Sequence, residues 1–261
     1  RANTDDAKMS KVLAKIKTDV DLNVNLNALK IDKPNNKELI SILDELEFRT
    51  IKERLERIGL LKQAKDEQLS VFDNDNKTTK VKVDYKIIDE NMVDSLIKKL
   101  KVQKEICFDT ETSSLDIQSA KLAGIAFSCE EGKAYYVPTL SNTEEILKKL
   151  SPLFSDSNIL LIGHNLKYDI QILSKYGILF HENVFDTMLA HYVISPEGSQ
   201  KLDVLSENYL NHKCIPIEDV IGKKGVNQMS MIDIPVENVY EYACEDADIT
   251  LRLHNVLSPL L

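Results

Sequence analysis

The chain contains no run of about 18 apolar residues, so nothing in it reads as a membrane-spanning helix. Its first residues, RANTDDAKMS, lack the charged-then-apolar form of a secretory signal. The cysteines, Cys107, Cys129, Cys214 and Cys244, show no Cys-x-x-Cys spacing. Neither a zinc module nor a disulfide framework is therefore indicated. Cys107 and Cys244 read as small buried apolar residues, and a reduced, cytoplasmic setting is expected. An excess of positive charge is missing as well. With 33 Lys and Arg against 42 Asp and Glu, the formal net charge is −9, which argues against a general duplex-DNA gripping surface. What is present suffices for one or two domains with a real core: 261 residues, 43% of them hydrophobic.

The most informative stretch is EICFDTETSSLD. Residues 105–111 alternate as a strand does, with Ile106 and Phe108 apolar, before a polar turn at Ser113-Ser114. Side chains two apart on a strand share a face. Asp109 and Glu111 therefore project together, with Ile106, Phe108 and Thr110 on the opposite side. Two such carboxylates repel unless neutralised, and a divalent cation is the usual neutraliser. The bland alternative is a solvated strand end. In ILLIGHNLKYDIQIL, a buried strand from Ile159 to Ile162 is broken by Gly163 before a helix, on which Asn165, Tyr168 and Asp169 are spaced i, i+3, i+4 on one face. An Asp there also complements the helix dipole. In YEYACEDADITLRL, Tyr242 and Asp246 are i, i+4 on another helix, a pairing more often found as a surface hydrogen bond. Together, four carboxylates from three segments form what a two-metal phosphodiesterase site needs, with hard cations such as magnesium or manganese preferring oxygen ligands.

The motifs FDTETSSLD, GHNLKYD, FDTMLAHY (residues 185–192) and YACEDAD, in that order, resemble the 3′–5′ proofreading exonuclease domain of bacterial family A polymerases, the DNA polymerase I family. The resemblance covers roughly residues 82–261. It implies an α/β, ribonuclease H-like mixed sheet with flanking helices, the DnaQ-like exonuclease fold, with the site where strand ends meet helix starts. It further implies that Asp109, Glu111, Asp169 and Asp246 bind two divalent cations, Mg2+ or Mn2+. Asp109 would bridge both ions, Glu111 and Asp246 would hold the tighter one, and Asp169 the second, largely through water. Tyr242 would orient the attacking water. Glu241 stands where related exonucleases carry a histidine, which places the chain in the tyrosine subclass. His164 occupies a position that contacts the DNA strand, although a hydrogen-bonded helix-start residue is an equal reading.

Substrate contacts follow from the same resemblance. Leu115 matches the residue wedged against the terminal base, Thr112 the reader of the 3′ end, and Asn165 and Tyr168 contacts to the single strand. Met231 stands where an aromatic wall of the terminal-base pocket is common. Ser199, Gln200 and Lys201 fall where a more basic stretch is expected. The implied substrate is a single-stranded or frayed primer 3′ end, and the implied partner is a polymerase domain of the same parent chain, absent here. No membrane partner is expected, and a monomer is the default state. The runner-up reading is an exoribonuclease of the ribonuclease D kind; the third is a catalytically silent single-strand-binding or spacer domain.

The N-terminal part reads separately. Residues 8–26 resemble the last segment of the 5′ nuclease domain that precedes the exonuclease in that family, and the start at Arg1 suggests an excised piece of a longer chain. Leu39, Ile42, Leu43, Leu46, Leu55 and Ile58 recur at helical spacing from Lys37 to Ile58, with Gly59 at a plausible stop. The expected division is 1–61 as a helical remnant of the 5′ nuclease domain, 62–80 as a polar linker and 81–261 as the exonuclease domain. The coarse order within the last is a strand over 81–88, a helix over 91–100, strands over 105–111, 122–128 and 134–138, a helix over 143–154, a strand over 159–162 and mostly helix thereafter.

Overall fold

The computed structural model describes residues 3–17, 19, 35–46, 48, 51–52, 54–55, 82–225 and 228–261. The chain divides into two units, Arg1–Lys77 and Thr78–Leu261. In the first, α1 spans Thr4–Ala14 and α2 spans Asn36–Glu45. The Asn35 side chain caps α2 by accepting from the Glu38 N–H at 3.4 Å. The single helix expected from Lys37 to Ile58 is not continuous. At Leu46 and Phe48 the backbone N–H groups turn back to the carbonyls of Ile42 and Leu43, at 3.0 and 2.8 Å, which closes the last turn of α2 and ends it. Ile58, Gly59 and the expected linker over 62–80 lie outside the described residues.

The second unit is built on a six-stranded mixed sheet of order β1-β4-β3-β2-β5-β6. The strands are β1 Asp84–Ile87, β2 Glu105–Thr112, β3 Leu122–Glu130, β4 Lys133–Pro138, β5 Leu160–Gly163 and β6 Val184–Asp186. Strands β2, β3 and β4 pair antiparallel, while β1 joins β4, β5 joins β2 and β6 joins β5 in parallel. The β3–β4 hairpin closes through Glu131 and Gly132, the latter at φ 76°, where a glycine carries no Cβ penalty. Strand β6 is absent from the sequence expectation, because three residues of mixed polarity, Val-Phe-Asp, carry no period that separates them from the helix behind them. The first strand begins at Asp84 rather than near Val81, and Gly163 is the paired end of β5 rather than a break before the helix.

Apolar spacing decides which face each helix buries. In α3 (Val93–Leu100), Val93, Leu96, Ile97 and Leu100 are buried, and in α4 (Thr143–Phe154) Ile146, Leu147, Leu150, Leu153 and Phe154 are. These share one core with Ile106 and Phe108 of β2, and with Leu166, Ile172 and Leu173 of α5 (Leu166–Ser174). Each fully buried aliphatic or aromatic side chain contributes about 1.5–3 kcal/mol. Further helices are α6 (Thr187–Ile194), α7 (Leu202–Leu205), α8 (Ile217–Ile221) and α9 (Val236–Leu257). The last has 22 residues. Its Ala243, Cys244 and Ala247 form a second core with Ala126, Ala134 and Tyr136 of β3 and β4. Small residues on both sides let the helix approach the strands closely.

A buried acid fixes the axial position of α9. Asp248, 0% exposed, accepts from the Tyr85 hydroxyl at 2.9 Å and from the Gly132 N–H at 2.7 Å. Nearby, Arg252 Nε lies 3.1 Å from Glu131. Asp248→Ala leaves two donors without their acceptor. It is expected to lower stability by about 2–4 kcal/mol, read as a shift in urea midpoint at unchanged slope; a variant as stable as the parent would remove Asp248 from this role.

Candidate active site

Strand β2 and helix α9 bring three of the predicted residues together. Oxygens of Asp109, Glu111 and Asp246 all lie within 4.8 Å of one another. The period of two sends Asp109 and Glu111 off the same face of β2, while Ile106 and Phe108 enter the opposite core. Asp246 comes from α9, one turn beyond Tyr242, and the two side chains are hydrogen-bonded to each other.

Asp169 stands outside that tight group. It is buried on α5, and its Oδ1 accepts from both the Thr110 N–H at 3.0 Å and the Thr110 hydroxyl at 2.5 Å. Its charge is nonetheless the largest neighbouring one acting on Asp109. Thr110, which its spacing puts on the face of β2 opposite Asp109 and Glu111, is thus the anchor of the fourth carboxylate.

All four acids are held above the ordinary carboxylate range, first by burial. Mutual repulsion pushes Asp109 and Glu111 further up. Asp169 and Asp246 are both raised to about 7, the bonds from Thr110 and Tyr242 partly offsetting the burial. Burial and then the charges of Asp246, Glu111 and Asp109 raise the Tyr242 phenol, so it remains protonated. The donor set is all oxygen and anionic, and Glu111 Oε1 is a buried oxygen with no hydrogen-bond partner. Hard divalent cations fit such a set.

Around the acids the remaining predicted residues take mixed positions. The Thr112 and Tyr168 hydroxyls are hydrogen-bonded at 2.5 Å, and Tyr168 also donates to the Ser114 carbonyl at 2.7 Å. Leu115 is 88% exposed on the loop after β2. The Ser230 hydroxyl donates to the Ser113 carbonyl of that loop at 2.9 Å, tying it to the segment that carries Met231. Met231 itself is 5% exposed and belongs to the core formed by Tyr136 and α9. An unbranched apolar side chain is drawn inward there, so it does not stand as an open wall. Asn165 also departs from expectation. It is not on the helix face but caps α5 in the left-handed region, at φ 61° and ψ 43°. His164 Nδ1 lies 2.9 Å from the Thr187 hydroxyl, and burial lowers its pKa, so the structure gives it the hydrogen-bonded setting. Gln200 binds His191 and the carbonyls of Ser195 and Gly198, which occupies it locally.

A second cluster of ligand-type groups, His212, Cys214 and Glu245, also lies within 4.8 Å. Its members are already paired. Glu245 accepts from the Ile215 N–H at 2.6 Å and meets His212 Nε2 at 2.8 Å, while burial pushes the Cys214 thiol up to about 12. This group pins the 212–215 loop to α9, beside Asp246.

A six-stranded mixed sheet, with helices on it and acids at the end of its central strand, defines a ribonuclease H-like exonuclease architecture. Solved structures of that fold include the ribonuclease D of Trypanosoma brucei, at TM-score 0.59 and 18% identity over 68% of this chain and 65% of that one. The catalytic core of Trypanosoma brucei RRP6 matches at TM-score 0.55 and 21% identity, over 67% and 46%. Residues 85–261 match the family model described as 3′–5′ exonuclease, and the chain belongs to that family. DNA polymerase I of Pseudomonas aeruginosa is 36% identical over 98% of this chain, and that of Borreliella burgdorferi 38% identical over 80%. The chain spans only 28% and 23% of the lengths of those two relatives.

The raised carboxyls carry a linkage sign. Folding takes up protons between the ordinary carboxylate range and about 7. The contribution of these acids to metal-free stability is therefore fullest at low pH and is lost as pH rises through about 7. In chelator at pH 8, Asp246→Asn is expected to melt several degrees above the parent, with the gap closing toward pH 5. Magnesium should raise the parent's melting temperature and do little for the variant. Calorimetry decides, and equal melting at pH 8 would show that the acids do not strain the metal-free fold.

Proposed function

We propose that residues 81–261 form a metal-dependent 3′–5′ DNA exonuclease that removes 5′-nucleoside monophosphates from single-stranded or frayed 3′ ends, the proofreading step of DNA replication and repair. The observation that carries the reading is the convergence of Asp109, Glu111 and Asp246 within 4.8 Å, beside Tyr242 and with Asp169 anchored next to them. Divalent cations of the Mg2+ or Mn2+ kind, when bound, supply Lewis-acid stabilisation of phosphate charge and lower the pKa of water. Asp109, Glu111, Asp169 and Asp246 would hold them.

The chain's own groups do the positioning. The Tyr242 phenol, kept protonated by its acidic surroundings, orients a water for in-line attack, and Glu111 accepts a hydrogen bond from that water. Tyr168 and Thr112 hold each other at the edge of the site and face the strand. Exposed Leu115 lies against the terminal base. Stacking and apolar contacts of this kind tolerate any base, as removal of unselected nucleotides requires, and a paired end must first be melted. In this reading residues 1–61 are the tail of a 5′ nuclease domain, supported by the Pseudomonas aeruginosa match extending over 98% of the chain. A polymerase domain of the same parent chain delivers the primer end.

Purified protein with a 5′-labelled single strand and magnesium or manganese is expected to give a ladder shortening from the 3′ end. The ladder should disappear with chelator and with Asp109→Ala. An intact label under every metal, from folded protein, would favour a silent spacer, and preference for RNA ends over DNA ends would favour the ribonuclease D kind. Tyr242→Phe is expected to slow turnover about 100- to 1,000-fold, the range for a lost positioning hydrogen bond, with metal affinity measured by titration nearly unchanged. A large loss of metal binding would make Tyr242 structural instead.

A further inference from the structure

Asp186, at the end of β6, accepts from four backbone N–H groups. Its Oδ1 takes Asn165 at 3.0 Å, Met188 at 2.9 Å and Leu189 at 3.3 Å, and its Oδ2 takes Leu166 at 2.9 Å. The Met188 and Leu189 bonds are an ordinary helix cap on α6. The other two are not local: they cap α5, some twenty residues back in the chain. Register makes this possible, since Asp186 is paired with Gly163 across β5 and β6, directly before the β5–α5 turn.

The neighbouring residue repeats the connection. The Thr187 hydroxyl donates to the Gly163 carbonyl at 3.2 Å and lies 2.9 Å from His164 Nδ1. Gly163, His164, Asn165 and Leu166 are thus all bonded to Asp186 or Thr187, either directly or through the strand pairing. The turn needs such a hold. Asn165 occupies the left-handed region, and a Cβ on Gly163 would run into Leu166. The direction of α5 is set in this turn, and α5 carries Tyr168 to Thr112 and Asp169 to Thr110.

We infer that Asp186 is a positioning residue for the exonuclease site, one carboxylate that clamps the first turn of α5 and thereby fixes where Asp169 and Tyr168 stand against β2. The inference rests on the exonuclease reading above. It makes the loss of Asp186 a loss at the weaker cation position and the strand contact, rather than a general loss of fold.

Asp186→Ser separates the two duties. A serine can still cap its own helix α6, but its single short hydroxyl does not serve Asn165 and Leu166 as well. Amide hydrogen exchange at Asn165 and Leu166 should accelerate in Asp186→Ser, while core amides of β2 and β3 keep their protection. Manganese titration followed by electron paramagnetic resonance should show the weaker site loosened about 10- to 100-fold, the usual cost of removing an outer partner of a metal ligand, with the tighter site retained. Turnover should fall by a similar factor. Asp186→Asn, which keeps the shape but offers one accepting oxygen in place of two, should lie between serine and the parent and serves if the serine variant does not fold. Accelerated exchange at Asn165 and Leu166 with both manganese affinities and turnover unchanged would overturn the inference, as would unaltered exchange there. If the parent itself degrades no 3′ end, the exonuclease reading fails, and the amide-exchange and manganese arms still judge the clamp.

Discussion

Like charges forced together away from bulk water are the constraint around which this domain is organised. Asp109, Glu111, Asp169 and Asp246 are each driven toward the protonated form, with burial the first cause in every case. At an effective dielectric near 20, two unit charges about 4 Å apart interact with about 4 kcal/mol. That is a large part of the net stability of roughly 5–15 kcal/mol that an ordinary domain possesses. The cluster is therefore not a feature that local preference would assemble. It exists because apolar burial elsewhere, in the core joining α3, α4 and α5 to β2 and β3, fixes the backbones from which the acids project.

Rigidity is supplied at each entry point. Strand β2 is central, paired antiparallel with β3 on one side and parallel with β5 on the other, so Asp109 and Glu111 cannot change face without breaking both ladders. Helix α9 is held by Asp248 to Tyr85 and Gly132, and by Glu245 to His212 and Ile215. These two acids flank Asp246 in sequence at a distance of two and one residues, and they point elsewhere. Helix α5 is held at its start by Asp186 and at Asp169 by Thr110. Asp248, Glu245 and Asp186, each accepting hydrogen bonds from neighbouring groups, thus hold the elements that carry the clustered acids. Glu111 Oε1 is left with no partner, while every oxygen of Asp186 is satisfied.

Much of this was legible in the sequence, and the reason is periodicity. A spacing of two on a strand and of four on a helix places Asp109 on one face with Glu111, and Tyr242 with Asp246. The apolar stripe of α4 gave its ends without error, and the family motifs gave the mixed sheet. What was not legible depends on contacts without a period. Asn165 fits an i, i+3, i+4 pattern, yet the turn after Gly163 places it in the left-handed region outside the helix. Met231 could be aligned but not oriented, and the core under α9 draws it inward. Strand β6 is too short to announce itself. The role of Asp186 had a signal, an Asp just before an apolar helix, which is an N-cap signature. The signal names α6 only; the second helix it caps is set by strand pairing and is invisible to local reading.

The two halves of the candidate site obey opposite rules. Glu111 and Asp169 are buried and Asp109 and Asp246 half-buried, on elements packed into the core. Leu115, on the exposed loop after β2, is almost wholly open to solvent. A net charge of −9 repels a polyanion, and that repulsion acts over a Debye length of about 8 Å at physiological ionic strength. On the exonuclease reading, two divalent cations bound among the four acids would cancel their negative charge at the site alone. A duplex lying across the rest of the surface would gain nothing from that cancellation, whereas a single-stranded end that reaches the acids would. On that reading, the same carboxylates that burial drives toward protonation in the metal-free fold would restrict productive binding to ends, and selectivity for frayed termini would require no base-specific contact.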